Sequence, residues 1–237
     1  MENKFLVFDI WSDYAHFKKP YTTTSPLTFS IPTRTVISGM IAAILGIGKG
    51  KYHGFFSRED SKIAVSIIKP IKKVRISENL INTKKSMNVI HERTQIKIEL
   101  LKDPCYRIYI SLRDHELYNK LKTFLETHSS VYTLTMGLSE NLANYRFVGE
   151  FDAVKVDGNN EHLDIRSVVP IGDLKRGDID FSIEGEYFTE TIPMIMNSER
   201  LVSEFGEVLF ERTCRSIYAK AKEAFHISSL NENIVLI

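Results

Sequence analysis

Apolar residues gather in short segments near the start of the chain, and their spacing predicts a strand followed by a helix. Residues 4–11 are rich in Phe, Val, Ile and Trp, which is typical of a buried strand. Residues 12–32 have no periodicity and mix aromatic, hydroxyl, proline and basic residues, so they predict a long loop. Apolar residues then recur at helical spacing, where Thr33 or Thr35 can cap the helix and Gly46 can end it.

The following segments extend this order into a complete unit. Further strands are predicted at residues 63–76, 95–101, 106–112 and 146–156, and a helix capped by Asp114 is predicted to end near His128. Residues 77–94 are polar and basic with few apolar positions, so we expect a long, exposed hairpin or arm. With residues 77–101 set apart as the arm and its return strand, the order is βαββαβ, the ferredoxin-like arrangement that RNA recognition modules also use.

The last third of the chain has a different pattern, with short apolar segments separated by Gly, Asp and Pro. Strands are predicted there at residues 167–170, 181–192, 208–222 and 234–237. The sequence therefore predicts an α+β protein with two parts. A ferredoxin-like domain occupies residues 1–156, with its arm at about 77–94, and a smaller, mainly β region occupies residues 157–237.

Composition indicates a globular protein without a membrane segment. Of the 237 residues, 43% are hydrophobic, which is enough to build a core. No apolar run approaches the roughly 20 residues that a membrane helix needs, and the N-terminus lacks the pattern of a signal peptide, so we expect a cytoplasmic location. Cys105 and Cys214 lie far apart without a CxxC pair, and HExxH and P-loop motifs are absent from the sequence. We therefore expect no disulfide, no metal and no cofactor.

Charge divides the chain into two unlike halves. Residues 1–102 hold 17 Lys and Arg against 8 Asp and Glu, a balance of +9, whereas residues 103–237 hold 14 against 22, a balance of −8. One half is thus suited to face a polyanion. The same counts also fit two halves that pair with each other across the fold, and charge alone leaves both interpretations open.

Three segments resemble one protein family. Residues 15–46, AHFKKPYTTTSPLTFSIPTRTVISGMIAAILG, resemble the N-terminal signature of CRISPR-associated protein family five, a branch of the repeat-associated mysterious protein superfamily. LLKDPCYRIYIS at residues 100–111 and TMGLSENLANYRFVGE at residues 135–150 are similar to the same family, especially to its branch in subtype I-B systems. The likeness covers most of the first 156 residues and is weaker beyond them.

The resemblance implies a non-catalytic subunit of a type I CRISPR interference complex, Cascade. Members of this family have a ferredoxin-like domain with a projecting thumb hairpin, and the arm at residues 77–94 lies where the thumb is inserted. They hold the repeat-derived 5′ handle of the CRISPR RNA (crRNA) and cap the filament of backbone subunits. They also contact the large subunit that inspects target DNA. These partners are expectations for the present chain.

Single-stranded RNA requires cations for phosphates, flat rings for unstacked bases and donors for the 2′-hydroxyl. The predicted phosphate ligands are Lys18, Lys19 and Arg34, beside the positive end of the helix near Thr33. The predicted stacking rings are Tyr14, His16, Phe17 and Tyr21, and the predicted hydroxyl contacts are Thr22, Thr23, Thr24 and Ser25. A second predicted cluster lies on the arm and comprises Lys84, Lys85, His91, Arg93 and Gln95.

Each group also has a structural interpretation. Tyr14 and Phe17 fit core positions, and the hydroxyl run can form hydrogen bonds with the backbone of the loop.

Two other functions of the protein stay open. A metal-independent endoribonuclease that processes precursor crRNA could use His91 with Lys84 or Lys85, and Tyr21, as base, cation and acid. A protein-interaction subunit could instead use the basic half to bind an acidic partner.

Overall fold

The computed structural model describes residues 3–82, 88–90, 92–158, 160–174 and 177–237. The helices within these residues are α1 (Arg34–Leu45) and α2 (His115–Glu126). The strands are β1 (Asn3–Trp11), β2 (Tyr14–Ala15), β3 (Ser61–Ile67), β4 (Lys73–Ile81), β5 (Arg93–Lys102), β6 (Cys105–Leu112), β7 (Asn144–Val156), β8 (Leu163–Ile165), β9 (Val169–Pro170), β10 (Tyr187–Met196), β11 (Val202–Glu211), β12 (Ile217–Ala219), β13 (Ala224–Ile227) and β14 (Glu232–Ile234).

Four strands and both helices form the predicted ferredoxin-like unit. The strands lie in the order β7-β1-β6-β3, and every neighbouring pair is antiparallel. Helix α1 connects β1 to β3 and helix α2 connects β6 to β7, which gives the βαββαβ order expected from the sequence. The prediction of an α+β, ferredoxin-like fold is confirmed.

The two helices begin and end at the residues that the sequence favours. The Thr33 hydroxyl caps α1 by accepting a hydrogen bond from Val36 N, and Gly46 ends the helix in the left-handed conformation. Helix α2 begins after Asp114, whose carboxylate accepts hydrogen bonds from two backbone N–H groups of the first turn. Within the described residues, no helix is both long and apolar enough to cross a membrane.

Strand β1 has buried side chains on both faces of the sheet. Leu6, Phe8 and Ile10 belong to the main core, which α1 and α2 cover. Phe5 and Val7 point to the other face and join a second cluster that contains side chains of β13 and β14. The face that RNA recognition modules use for bases is thus partly covered by the C-terminal strands.

The region after residue 156 is mainly β, as predicted, but the sheet continues into it. Strand β13 pairs with β7, and β14, β8 and β12 extend the sheet to eight strands. Strands β10 and β11 form a separate hairpin sheet with β9. The predicted strand at residues 208–222 is wrong in part, since the chain turns between β11 and β12. The division into two domains at residue 156 stays a prediction.

The expected single strand at residues 63–76 is also wrong. The chain leaves the β6 ladder after β3, where both Ile68 N and Lys69 N donate to the Cys105 carbonyl, and Pro70 cannot donate to a ladder. Pairing resumes at Lys73, where β4 starts a long hairpin with β5. The arm predicted at residues 77–94 is the outer part of this hairpin, and residues 83–87 and His91 lie outside the described residues.

Candidate nucleic-acid interface

Residues 12–33, called here the N-terminal loop, fold back on themselves beside the β4–β5 hairpin. Lys19 N donates to Leu27 O at 2.9 Å, and Phe29 N donates to Phe17 O at 2.8 Å. The Thr22 hydroxyl donates to Lys19 O and accepts from Leu27 N, so it holds the turn together. The structural interpretation of the hydroxyl run therefore holds for Thr22.

Two aromatic residues predicted to stack on bases lie inside the protein. The Phe17 side chain is 1% exposed and packs in the main core, with its ring 6.2 Å from that of Tyr106. His16 is also buried, and its Nδ1 lies 2.8 Å from Glu99 O. The prediction that these rings contact RNA bases is corrected, because neither ring presents a free face to solvent.

Arg34, predicted to bind phosphate, is a buried structural cation. Its guanidinium donates to the carbonyls of Ile237, Phe56, Ser57 and Ser61 and to the Ser61 hydroxyl, at distances of 2.7–3.3 Å. Burial lowers the pKa of Arg34 to about 10. The prediction for Arg34 as a phosphate ligand is corrected, because its donors are already used inside the protein. Thr33 is buried as well, and a phosphate contact at the start of α1 stays a prediction.

Lys19 has a partner inside the protein. Its Nζ lies 3.1 Å from Glu190 Oε1 on β10 and 5.3 Å from the centre of the Phe29 ring. Burial lowers the pKa of Lys19, but the attraction and hydrogen bond of Glu190 outweigh burial, so the pKa is raised. The prediction for Lys19 as a free phosphate ligand is corrected, because its charge is already neutralised by a carboxylate.

Other predicted residues of the N-terminal loop are exposed at its tip: Lys18, Tyr21, Thr23, Thr24 and Ser25. Tyr21 is the most open aromatic side chain of the group, at 71% exposure. Tyr14 is half-buried in β2, which pairs with β5. Residues 18–25 therefore present one cation, one ring and three hydroxyls to solvent, and their contact with RNA stays a prediction.

The β4–β5 hairpin divides its side chains by strand alternation. One face carries polar residues in cross-strand register, with Ser77 opposite Lys97 and Asn79 opposite Gln95. We call this the polar hairpin face, and its defining members are Arg75, Ser77, Asn79, Arg93, Gln95 and Lys97. Glu99, opposite Arg75, and the exposed Ile81, opposite Arg93, lie on the same face. The opposite face is mainly apolar and includes the buried Ile98 and Leu100, together with Glu78 and Thr94.

The predicted Arg93 and Gln95 both lie on the polar hairpin face, whereas Lys84, Lys85 and His91 lie outside the described residues. Lys97 completes the face and was missed by the sequence analysis. Its signal was available, because residues two apart on a strand share a face and Lys97 follows Gln95 by two. Arg75, on the neighbouring strand, is 70% exposed.

The base of the hairpin connects this face to the N-terminal loop. Lys73 Nζ donates to Thr28 O at 3.0 Å and lies 3.6 Å from carboxylate oxygens of both Glu99 and Glu190. Glu99 N donates to Pro26 O at 3.0 Å. The N-terminal loop thus adjoins the polar hairpin face at Lys73 and Glu99, through Pro26 and Thr28. Glu190 pairs with both Lys19 and Lys73 there, and Lys73 also pairs with Glu99.

Of the residues proposed for a nuclease, the structure describes Tyr21. Tyr21 lies at the loop tip, and the three residues that would accompany it lie outside the described ranges. Among the residues described, no group of three His, Cys, Asp or Glu side chains could hold a metal ion. Both the absence of catalysis and the absence of a metal stay predictions.

Comparison with known proteins adds a family and a fold. A family model described as "CRISPR-associated protein (Cas_Cas5)" matches residues 5–167. A crystal structure of a CRISPR protein from Archaeoglobus fulgidus is 12% identical, with 97% of each chain covered and a TM-score of 0.58. A chain of a CRISPR RNA-guided surveillance complex is 10% identical, with 92% of each chain covered and a TM-score of 0.52. No curated protein sequence matches. At these identities the two structures establish a common fold.

Proposed function

The chain belongs to the CRISPR-associated Cas5 family, and we propose that it is an RNA-binding subunit of a CRISPR effector complex. In the finer form of this proposal, it is a non-catalytic subunit of a type I Cascade, of the I-B kind. It grips the 5′ handle of the crRNA, caps the backbone filament and contacts the large subunit near the target DNA. The observation that carries the proposal is the polar hairpin face, which adjoins the N-terminal loop.

The charges on this surface suit a single strand of RNA. Arg75, Arg93 and Lys97 lie on one face of two paired strands, where their side chains can follow successive phosphates. At the loop tip, Lys18 adds a fourth cation and Tyr21 offers an open ring for a base. A ring that stacks on a base favours an unpaired strand, because a duplex hides the flat faces of its bases.

The assembly part of the proposal is supported by relatives. The surveillance-complex chain with the same fold is part of an RNA-guided complex, and we extend to the present chain the expectation of RNA and other CRISPR proteins as partners. The location of this chain within such a complex belongs to the proposal.

The direct test is binding of labelled, single-stranded repeat RNA to the purified protein over a range of salt concentrations. Replacing Arg93 and Lys97 together by Ala should weaken binding and reduce the slope of log K against log salt by about 1.4, since each phosphate contact on a single strand contributes about 0.7. Stability should change by less than about 0.5 kcal/mol, because both side chains are exposed.

A matched control replaces two other exposed lysines, Lys49 and Lys51, which follow α1 and lie off the proposed surface. Equal salt slopes for the two double variants would contradict the proposed surface.

The same incubation in EDTA tests the alternative functions. Intact RNA is expected, whereas cleavage that is lost in His91→Ala would identify a metal-independent endoribonuclease. Binding to partner proteins without any RNA binding would identify a protein-interaction subunit.

A further inference from the structure

A cavity of about 320 Å³ opens where the N-terminal loop, the base of the hairpin and the C-terminal region meet. Ser30 of the loop, Lys73 of β4, and Phe188 and Glu190 of β10 are among its lining residues. We propose that this cavity takes one unstacked base of the bound RNA, which lies against the ring of Phe188. The inference rests on the proposed function and adds the C-terminal region to the RNA path.

The aromatic wall of the cavity is formed by two neighbouring rings, Phe188 and its cross-strand partner Phe210. Phe188 is 48% exposed, while Phe210 on the neighbouring strand is buried. The two rings are nearly parallel, with centroids 6.1 Å apart and an angle of 22° between them. One face of the Phe188 ring is therefore supported by a core residue, and its exposed part borders the cavity. A fixed, accessible ring is what a flipped-out base needs for stacking.

The size of the cavity admits a nucleobase. Small-molecule sites in proteins span roughly 300–1,000 Å³, so this cavity lies at the lower end of that range. One flat ring system fits within such a volume. Since a single-stranded segment can turn one base away from its neighbours, the cavity fits RNA of the kind already proposed.

Polar groups around the cavity are arranged so that RNA is not repelled. The Glu190 carboxylate accepts from Ser30 N at 2.8 Å and from the Ser30 hydroxyl at 3.0 Å, and Lys19 lies 3.1 Å away. Its negative charge is therefore offset before any ligand binds. Ser30 and Glu190 line the cavity, so their side-chain oxygens can accept hydrogen bonds from the polar edge of a base. A purely apolar pocket could not form such hydrogen bonds.

The position of the cavity favours RNA over a protein side chain. Lys73 lines it and is also the first residue of β4, whose alternate residues Arg75, Ser77 and Asn79 belong to the polar hairpin face. An RNA strand that follows this face reaches the cavity at its end. Arg212 on the rim adds a half-exposed cation, although its Nε also contacts Glu186.

The test compares two exposed phenylalanines of the same small sheet. Phe188→Ala removes the proposed stacking ring, whereas Phe205→Ala removes a 51% exposed ring that does not line the cavity. With single-stranded repeat RNA, Phe188→Ala should bind roughly 5- to 150-fold more weakly than the unaltered protein, which corresponds to one lost base stack. Phe188→Trp should bind within about threefold of the unaltered protein, and Phe205→Ala should bind normally.

A scan of abasic positions in the RNA locates the stacked base. The unaltered protein should lose affinity at one position of the scan, and that loss should disappear in Phe188→Ala because the ring is already gone. Photocrosslinking with 4-thiouridine RNA provides a readout on the unaltered chain, and the crosslinked peptide should contain residues 187–196. This measurement decides the matter even if Phe188→Ala folds poorly.

Three results would overturn the inference in different ways. If the unaltered protein binds RNA but Phe188→Ala and Phe205→Ala bind it equally well, and crosslinks avoid residues 187–196, the cavity is not a base site while the proposed function stands. If Phe188→Ala binds RNA normally but fails to join its partner subunits, the cavity takes a protein side chain. If the unaltered protein binds no RNA at all, the proposed function and this inference fall together.

Discussion

The N-terminal loop and the β4–β5 hairpin are both basic, but they use their charged and aromatic residues in opposite ways. In the loop and the start of α1, Phe17, Arg34 and Lys19 turn inward and meet core residues, carbonyls and a carboxylate. On the hairpin, Arg75, Arg93 and Lys97 extend into solvent. The loop therefore serves as a packed support for the hairpin. The hairpin supplies most of the proposed RNA contacts.

This difference shows that a recognisable motif and a binding surface are separate things. The segment at residues 15–46 carries the clearest family resemblance, yet much of it is packed inside the protein. Buried positions restrict side chains strongly, because shape, volume and hydrogen bonding must all be satisfied. An exposed cation can be placed at several points of a hairpin with a similar effect on a phosphate, so its surface carries a weaker sequence signature.

The largest expected effect is on Arg34, and it separates structural from binding cations. Arg34→Ala removes a donor from the backbone oxygens of Ile237, Phe56 and Ser61, and each buried acceptor left unsatisfied costs about 1–3 kcal/mol. The half-buried Ser57 oxygen keeps Ser61 N and the Ser61 hydroxyl as donors. We expect the free energy of unfolding to fall by roughly 3 kcal/mol or more, partly offset by relaxation of the site. Urea denaturation measures this change.

The matched control is Arg75→Ala, since Arg75 is 70% exposed and has only a 3.8 Å contact with Glu99. Its unfolding free energy should change by less than about 0.5 kcal/mol, while its affinity for RNA falls. A stable Arg34→Ala protein with weakened RNA binding would reverse the comparison and make Arg34 a binding residue.

A smaller effect is expected where the loop is locked to the rest of the protein. A Cβ added at Gly137 would lie 1.8 Å from His16 O, and its φ of +98° is unfavourable for any other residue. Gly137→Ala should therefore destabilise the protein by about 2 kcal/mol or more, because backbone at both sites must move. Hydrogen exchange should speed up in the N-terminal loop more than in the β4–β5 hairpin.

Gly172→Ala is the control, because a Cβ there meets nothing within 4 Å and its φ is not positive. Its stability should equal that of the unaltered protein or rise slightly through the loss of unfolded-state freedom. If Gly137→Ala left stability unchanged as well, the N-terminal loop would not depend on its contact with residue 137. The proposal that the loop supports the hairpin would then be wrong.

Local chemistry allowed much of the fold to be predicted. The cap at Thr33, the stop at Gly46 and the cap at Asp114 each act within one helical turn, so their effect can be seen in the sequence. The polar arm was found for the same reason, since a segment with few apolar residues cannot be buried. Pro70 broke a predicted strand because its missing donor outweighed the apolar alternation around it.

The interior of the site was harder to predict because its partners are distant in sequence. Glu190 lies 171 residues after Lys19, and only the folded chain brings the two charges together. Arg34 reaches Ile237, 203 residues away, and its sequence neighbours give no sign of burial. Phe188 likewise has no local pattern that separates a stacking ring from an ordinary surface phenylalanine. Burial of single charges thus depends on tertiary structure.

The smallest expected effect distinguishes Lys18 from Lys19, two adjacent lysines that were both predicted to bind phosphate. Lys19→Met removes a half-buried partner of Glu190, so stability should fall by about 1 kcal/mol, with Lys73 retaining part of the ion pairing. Lys18→Met should leave stability within about 0.5 kcal/mol and lower the RNA salt slope by about 0.7, as expected for one phosphate contact. Denaturation and RNA titration of both variants measure these changes. The two substitutions remove the same charge at neighbouring positions. Equal changes in stability and in salt slope would therefore mean that the inward-facing Lys19 and the outward-facing Lys18 have the same role.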